Sequence, residues 1–215
     1  FKDLLSYRFT KESFLQNHPI KNILLTALID LKGDLASATE YMCKLLNIKG
    51  TILPLTTEKV ELIGEDEHGK EFLGEESVSQ NVKHIKKLKY DHNVNVSKEV
   101  IEKIEEADLI LLSSGSLYTS ILPHLIVPDI KKAIKNSDAP IMYISNLVTQ
   151  PGETDGYTVS DHIEKLNEHL EDRKVDIVIA NNAEIDKEIV QKYASLEKKD
   201  LVTLDSKKID SLGVR

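Results

Sequence analysis

The order of apolar and polar positions divides the first half of the chain into helical and strand-like stretches. The apolar residues of "IKNILLTALIDL" and "GDLASATEYMCKLLNI" recur at i, i+3 and i+4, which predicts two amphipathic helices. Asp34 precedes the second helix, where a carboxylate can accept hydrogen bonds from the first free amides. A further helix is predicted in "SKEVIEKIEEA", with Ser97 as its N-cap.

Residues 51–90 show a different pattern, in which apolar and polar positions alternate. The alternation is found in "GTILPLT" and in "KVELIGEDEHGKEFLGEES", with His68 and Gly69 at the expected turn. We therefore predict a β-hairpin that forms a small side lobe. The rest of residues 1–215 is expected to form one α/β domain.

From residue 107 onward, the pattern is strand, polar loop and helix, repeated three times. Strands are predicted at 108–113, 139–145 and 175–180, as nearly continuous apolar runs typical of strands buried on both faces of a parallel sheet. Helices are predicted in "PDIKKAIKNS", "TVSDHIEKLNEHLED" and "DKEIVQKYASLEK", followed by a last strand at 200–205. The alternation predicts a doubly wound, mainly parallel α/β sheet, which binds ligands beyond the carboxyl ends of its strands.

Composition and charge narrow the class of protein. The 28 Lys and Arg residues against 36 Asp and Glu residues give a net charge of -8 and a pI of about 5.4, so we expect no nucleic-acid partner. The apolar stretches are much shorter than a membrane span and no signal peptide precedes them, which predicts a cytoplasmic protein without a membrane span. Cys43, the one cysteine, is interpreted as a small core residue.

The loop after the first predicted parallel strand, "SSGSLYTS" at 113–120, collects hydroxyl side chains around Gly115. Hydroxyls can donate to phosphate or sugar oxygens, and a glycine lets the backbone approach a ligand closely. The same residues are equally suited to capping the helix that follows. A nucleophilic serine is disfavoured because the second glycine of a G-x-S-x-G turn is missing, and nearby His124 is interpreted as a core or surface imidazole.

The loop after the second strand, residues 145–162, is long and rich in donors and acceptors. These are Asn146, Thr149, Gln150, Glu153, Thr154 and Asp155, with tight turns expected at Pro151, Gly152 and Gly156. Long loops in compact domains are usually functional or disordered, and this composition indicates a polar ligand. Glu153 and Asp155 could bind Mg²⁺, act as a base or accept sugar hydroxyls, or they could cap the next helix.

Two weaker candidate sites remain. Asn181 and Asn182 follow the third strand, where amides can bind a base edge or a ribose, although Asn is also a common turn residue. His18 and Asn22 lie near the start of the first long helix, whose positive dipole end favours a phosphate. A zinc site is not expected, because His18 has no Cys or second His at metal-ligand spacing.

These motifs, in this order, resemble the YvcK and CofD-like proteins, also called the gluconeogenesis-factor or UPF0052 family. The matching stretches are "GSLYTSILPHLIVPDI", "SNLVTQPGETDGYTVSDHI" and "VDIVIANNAEI", supported by "NILLTALIDLKGD" and "ILPLT". The resemblance covers nearly the whole chain. It is closer to the bacterial YvcK branch than to the CofD transferases, which carry a different sequence in place of "GSLYTS".

The resemblance implies a Rossmann-like fold and a nucleotide-sugar ligand, with UDP-sugars such as UDP-N-acetylglucosamine expected for this branch. It also implies a regulatory role in gluconeogenic carbon metabolism, cell shape and cell-wall homeostasis. The residues expected to bind the ligand are Asn22, Gly115, Ser116, Tyr118, Thr119, Ser120, Asn146, Thr149, Gln150, Gly152, Glu153, Thr154, Asp155, Asn181 and Asn182. No catalytic residue is assigned.

Two alternatives stay open. CofD proteins transfer a phospholactyl group to a deazaflavin alcohol with Mg²⁺ present, so the resemblance also allows an Mg²⁺-dependent transferase with Glu153 or Asp155 as metal ligand or base. The other alternative is a scaffold protein, in which an apolar segment such as "LYTSILPHLIVPDI" packs between subunits of a homo-oligomer.

The sequence departs from the family pattern in three places. Family members begin with a strand and a Gly-rich loop of the "GGGTG" type, expected to cradle the diphosphate, and no such segment is found here. Ser113 and Ser114 stand where Gly-Pro is usual, and Lys21 stands where Gly is usual. The sequence also ends at "SLGVR", before the tail expected in the family.

Overall fold

A computed structural model describes residues 2–81 and 84–215 of the chain. The chain divides into two compact units, residues 1–58 and 59–215. The predicted organisation as one domain with a side lobe stays a prediction. Within the described residues, no helix combines the length and the apolar character that a membrane span requires.

The first unit contains the two helices predicted from its periodicity. Its helices are α1 (Lys2–Ser6), α2 (Ile20–Lys32) and α3 (Leu35–Leu45). Gly33 ends α2 in a left-handed conformation with φ at +88°, and its amide donates to the carbonyl of Ile29. Asp34 caps α3 by accepting a hydrogen bond from the Ser37 amide at 2.8 Å, as predicted. Cys43, expected in a core, is only partly buried.

A small antiparallel sheet opens the second unit. It consists of β1 (Leu62–Glu65), β2 (Glu71–Leu73) and β3 (Lys87–Tyr90), in the order β2-β1-β3. The predicted hairpin is confirmed: β1 and β2 pair across a turn in which Gly69 has φ at +79° and Asp66 Oδ1 accepts from the amides of His68 and Lys70.

Two details of the predicted hairpin region are wrong. Residues 50–56 form no strand, and Pro54 within them lacks the amide that a strand ladder requires. The end of the predicted second strand instead begins a helix, α4 (Glu75–Asn81), directly after Gly74 at φ +88°.

The rest of the second unit contains the parallel sheet with its helices. The strands β4 (Ile110–Leu112), β5 (Ile141–Ile144) and β6 (Ile177–Ile179) lie in the order β4-β5-β6. The helices are α5 (Lys98–Glu105), α6 (Leu122–Leu125), α7 (Pro128–Asn136), α8 (Val159–Leu170), α9 (Lys187–Glu197) and α10 (Ser206–Ser211), with a π-helical turn at Leu117–Ile121 before α6. The predicted α/β class and the three parallel strands are thus confirmed, with shorter strands than predicted.

The parallel strands are well covered on one face only, contrary to the prediction of burial on both faces. The register pairs Leu112 with fully buried Tyr143 on one face, whereas Leu111 pairs with Met142 on the other and is 49% exposed. Ile179 on that second face is 51% exposed. Consecutive right-handed crossovers between neighbouring strands place their helices on the same side of a sheet, which explains the asymmetry.

The predicted last strand at 200–205 is also wrong. This segment pairs with the loop after β5 through isolated bridges, Val148 to Leu201 and Thr158 to Thr203, and it does not extend the parallel sheet. It runs beside the long loop after β5, and its backbone exchanges hydrogen bonds with that loop: the Thr149 amide donates to the Asp200 carbonyl at 2.8 Å. The backbone of the segment therefore helps to hold the loop.

Candidate functional site

The centre of the candidate site is a hydrogen bond between two loops. Ser116, in the loop after β4, donates from its Oγ to Oε2 of Glu153 at 2.5 Å. The same Oγ accepts from the Thr119 amide at 3.1 Å and from the Thr119 hydroxyl at 2.7 Å, so it caps the π-helical turn. A hydroxyl has one proton and two lone pairs, and all three are engaged here.

Glu153 is a carboxylate buried inside the protein, with only 3% of its surface exposed. Its Oε1 accepts from Gln150 Nε2 at 3.1 Å, and that amide also donates to Ser79 Oγ at 3.3 Å. Burial raises the pKa of the Glu153 carboxyl, against the opposing effect of the hydrogen bonds from Ser116 and the Tyr118 amide. The carboxylate thus lies at the start of the π-helical turn, where free amides attract an anion.

Several predicted ligand-binding residues hold the long loop in shape. The loop around Gly152, which has φ at +83°, closes because Asp155 Oδ2 accepts from the Gly152 amide at 2.6 Å. Thr154 is 2% exposed, and its Oγ1 accepts from the Gln150 amide at 2.8 Å. Thr149 is equally buried and accepts at Oγ1 from the Asp200 amide at 3.0 Å. Only Asp155 among these lies at the surface.

The hydroxyl run at 113–120 is divided between the interior and the surface. Ser116 bonds Glu153 and Thr119 bonds Ser116, whereas the exposed Ser113, Ser114 and Ser120 line a shallow cavity of about 410 Å³. This cavity has an apolar floor formed by residues of β4 and α6. Gly115 is required between the two groups, because a Cβ there would lie 2.9 Å from Cβ of Ser120.

Asn146 links the ends of β4 and β5. Its Nδ2 donates to the carbonyl of Gly115 at 2.9 Å, and its Oδ1 accepts from the Tyr143 hydroxyl at 2.9 Å. This places the predicted loops of residues 113–120 and 145–162 side by side at the carboxyl edge of the parallel sheet. The amide keeps one proton and one lone pair that these two contacts do not use.

A cavity of about 960 Å³ lies beyond the carboxyl ends of β5 and β6. Three predicted asparagines line it: Asn146, Asn181 and Asn182. The side chain of Asn181 forms a local turn by bonding both backbone groups of Ala183, whereas Asn182 is exposed and its side chain forms no hydrogen bond among the described residues. The remaining wall consists mainly of residues 183–187 and 201–204.

An aromatic cluster adjoins the site. The hydroxyls of Tyr118 and Tyr157 lie 3.0 Å apart, and His162 stacks near Tyr143 with its ring edge toward Tyr157. His162 is 1% exposed, and its Nδ1 lies 2.8 Å from the Thr158 carbonyl. Burial lowers the pKa of His162 and raises that of Tyr118. Both shifts favour the neutral forms of His162 and Tyr118.

The comparisons with known proteins agree on one family. The family model for the 2-phospho-L-lactate transferase CofD matches residues 1–215. Gluconeogenesis factors from Bacillus subtilis and Halalkalibacterium halodurans are 36% and 38% identical to the chain over 99% of its length. The chain belongs to the CofD family. The resemblance to its gluconeogenesis-factor branch is thereby confirmed.

A solved structure of the CofD (UPF0052) family has the same fold. The crystal structure of a UPF0052 protein from Bacillus halodurans superposes with a TM-score of 0.90 and 38% sequence identity, covering 99% of this chain. The chain spans 69% of that protein and 66% to 67% of the two gluconeogenesis factors. The activity of the whole relatives therefore enters only as a proposal.

Mg²⁺, which the resemblance implies for the CofD transferases, does not fit the contacts of the two candidate carboxylates. Both oxygens of Glu153 accept protein hydrogen bonds, and Asp155 Oδ2 is bonded to the Gly152 amide. Across residues 2–81 and 84–215, no group of three or more His, Cys, Asp or Glu side chains could hold a metal ion. A cation that prefers six oxygen ligands finds no such set here.

The structure adds site residues that the sequence did not indicate. Ser79 and Tyr143 contact the site from α4 and β5, and residues 201–204 form a wall of the larger cavity. Ser79 lies 71 positions from its partner Gln150, so no local pattern indicated it. Asn22 is exposed on α2 in the first unit, where its carbonyl accepts from Thr26.

Proposed function

We propose that the protein binds a nucleotide sugar of the UDP-sugar type, such as UDP-N-acetylglucosamine, in the cavity beyond β5 and β6. In this account it is a regulatory protein of gluconeogenic carbon metabolism, cell shape and cell-wall homeostasis. The names of its relatives support the link to gluconeogenesis. The ligand class follows from the chemistry of the cavity and from the resemblance of the site motifs.

The observation that carries the proposal is the set of amides around the cavity. Asn146, Asn181 and Asn182 converge on a space of about 960 Å³ at the carboxyl edge of a parallel sheet. Primary amides offer both donors and acceptors, which suits a base edge and sugar hydroxyls. The carboxyl edge is where open α/β sheets bind their ligands, and the volume is in the usual range of ligand pockets.

The contacts of Ser116 favour binding over covalent catalysis. Its hydroxyl donates to Glu153 and accepts twice from Thr119, which leaves no lone pair free for attack on a substrate. His124 forms no hydrogen bond with Ser116 among the described residues, and its Nδ1 lies 2.9 Å from the Ser120 carbonyl instead. A serine nucleophile with a histidine base is therefore unsupported by the geometry.

Isothermal titration calorimetry tests the proposed ligand. The protein is titrated with UDP-N-acetylglucosamine and, separately, with GDP-mannose, and we expect binding of the first only. Asn182→Ala removes an exposed cavity amide without breaking a side-chain hydrogen bond within the described residues, so it should weaken binding by about two- to tenfold. Asn93→Ala, an equally exposed amide outside this cavity, is the matched control. Binding of GDP-mannose without UDP-N-acetylglucosamine contradicts the proposal.

The second candidate function is transfer of a phosphorus-containing group. It is favoured by one observation, the match of the whole chain to a transferase family model. The test is incubation of the protein with a phospholactyl-nucleotide donor and a deazaflavin alcohol, with and without Mg²⁺. Product formation supports transfer, and its absence together with UDP-N-acetylglucosamine binding supports the first candidate.

A further inference from the structure

The helix α9 is weakly packed against the rest of its unit. None of its residues is buried, and its contact with the other described helices and strands is at most marginal. Within the described chain, the side-chain hydrogen bonds and ion pairs of residues 180–199 join these residues to one another. Firm attachment begins at the two ends, where Ile179 and Asp200 bond the loop after β5.

Both ends of α9 lie at the large cavity. Residues 181–187, which lead into the helix, form one wall, and residues 201–204, which follow it, form another. Lys198 ends the helix in a left-handed conformation with φ at +53°. A movement about these two ends would displace α9 without breaking a sheet hydrogen bond.

The apolar stripe of α9 has a counterpart inside the cavity. Ile189, Tyr193 and Leu196 recur at i, i+4 and i+7, are 49%, 38% and 73% exposed, and do not line the cavity. The cavity wall exposes Leu147 and Leu201, at 55% and 37%. Both apolar surfaces are thus exposed to solvent, and burying them against each other would be favourable.

We propose that α9 is a lid that closes over the cavity when a nucleotide sugar binds. In the closed form, the stripe of Ile189, Tyr193 and Leu196 packs on Leu147 and Leu201 and shields the ligand from water. The identity of the ligand rests on the proposed function. The movement is a property of the chain, so it can be tested without a ligand.

Disulfide trapping tests the movement itself. In a Cys43→Ser background, Leu147→Cys and Leu196→Cys are combined and the protein is oxidised mildly. We expect an intramolecular disulfide, which requires the two Cα atoms to approach within about 7 Å. The matched control combines Leu147→Cys with Gln191→Cys, because Gln191 lies about 200° around the helix from Ile189. Equal yields in the two pairs, no disulfide, or a disulfide between two chains would each overturn the lid.

Hydrogen exchange tests the coupling to the ligand. Residues 187–197 should exchange about tenfold more slowly with saturating UDP-N-acetylglucosamine, because closure orders α9. Calorimetry on the same samples reports binding separately. Binding without protection of α9 overturns the lid and leaves the proposed function intact. A specific disulfide in protein that binds no UDP-N-acetylglucosamine supports the lid and overturns the proposed ligand.

Discussion

The hydroxyl of Ser116 donates to the buried carboxylate of Glu153 at 2.5 Å and thereby joins the loop after β4 to the loop after β5. Ser116 also caps the π-helical turn, so its removal affects two structures at once. We predict that Ser116→Ala lowers the free energy of unfolding by about 1 to 3 kcal/mol, because a cap is lost and a buried carboxylate loses a donor. Urea denaturation measures the change.

The matched control for this variant is Ser114→Ala, two positions away on the exposed side of the same run. Its free energy of unfolding should stay within about 0.5 kcal/mol of wild type. Equal losses in the free energy of unfolding would show that the bond to Glu153 stabilises the fold no more than the exposed Ser114 hydroxyl does.

Glu153 should lower the free energy of unfolding as pH rises, which is the opposite of the usual effect of a paired carboxylate. Burial raises the pKa of its carboxyl in the folded protein above the ordinary 4.5. The folded state therefore binds this proton more tightly than the unfolded state, and its stabilising contribution is present below pH 4.5 and lost as pH rises through the folded pKa. The stability of wild type relative to Glu153→Gln should accordingly fall as pH rises above 4.5.

Denaturation of both proteins across this range measures the difference, and Glu99→Gln, which changes an exposed glutamate, is the comparison. A difference between wild type and Glu153→Gln that rises with pH would contradict the assignment of burial as the dominant effect.

His162 should act in the opposite sense. Burial lowers its pKa below the ordinary 6.5, while the Thr158 carbonyl and Asp161 oppose the shift. The unfolded chain therefore binds the proton more tightly, so the contribution of His162 is present above pH 6.5 and is lost as pH falls toward the folded pKa. His162→Phe keeps an aromatic ring beside Tyr143 and should lose less stability than wild type as pH falls below 6.5. Parallel pH profiles would contradict this prediction.

Asn146 should affect both stability and ligand binding, unlike Asn182. Its amide contacts Tyr143 and the Gly115 carbonyl, so Asn146→Ala removes the link between the ends of β4 and β5. We predict a loss of about 1 to 3 kcal/mol in the free energy of unfolding together with weaker binding of UDP-N-acetylglucosamine. Asn182→Ala should weaken binding alone. Calorimetry and denaturation of both variants distinguish the two roles. Equal losses of stability in Asn146→Ala and Asn182→Ala would contradict the prediction.

Much of the fold could be predicted because its elements carry strong local signals. The periodicity of α2, α3, α5, α7, α8 and α9 and the apolar runs of β4, β5 and β6 identified these elements. Residues 200–205 have the same apolar alternation as a strand, but their backbone partners belong to a loop. Local sequence cannot distinguish these two kinds of partner.

The site was predictable as a set of loops and not as a set of contacts. The sequence placed Ser116 and Glu153 in neighbouring loops, but not their direct bond, since they are 37 positions apart. The sequence also did not indicate which hydroxyls of the run are exposed. This depends on the π-helical turn, in which the Thr119 amide bonds Ser116 and Ser120 is exposed. Pairing of buried groups is a property of the folded chain, which local patterns do not report.

A crystal structure of the protein with UDP-N-acetylglucosamine bound tests the proposed ligand site and the lid most directly. We expect electron density for the nucleotide sugar in the cavity of about 960 Å³, with a hydrogen bond from Asn182 and with α9 moved over the opening. Density for the ligand at another site, with this cavity empty and α9 unmoved, would contradict it.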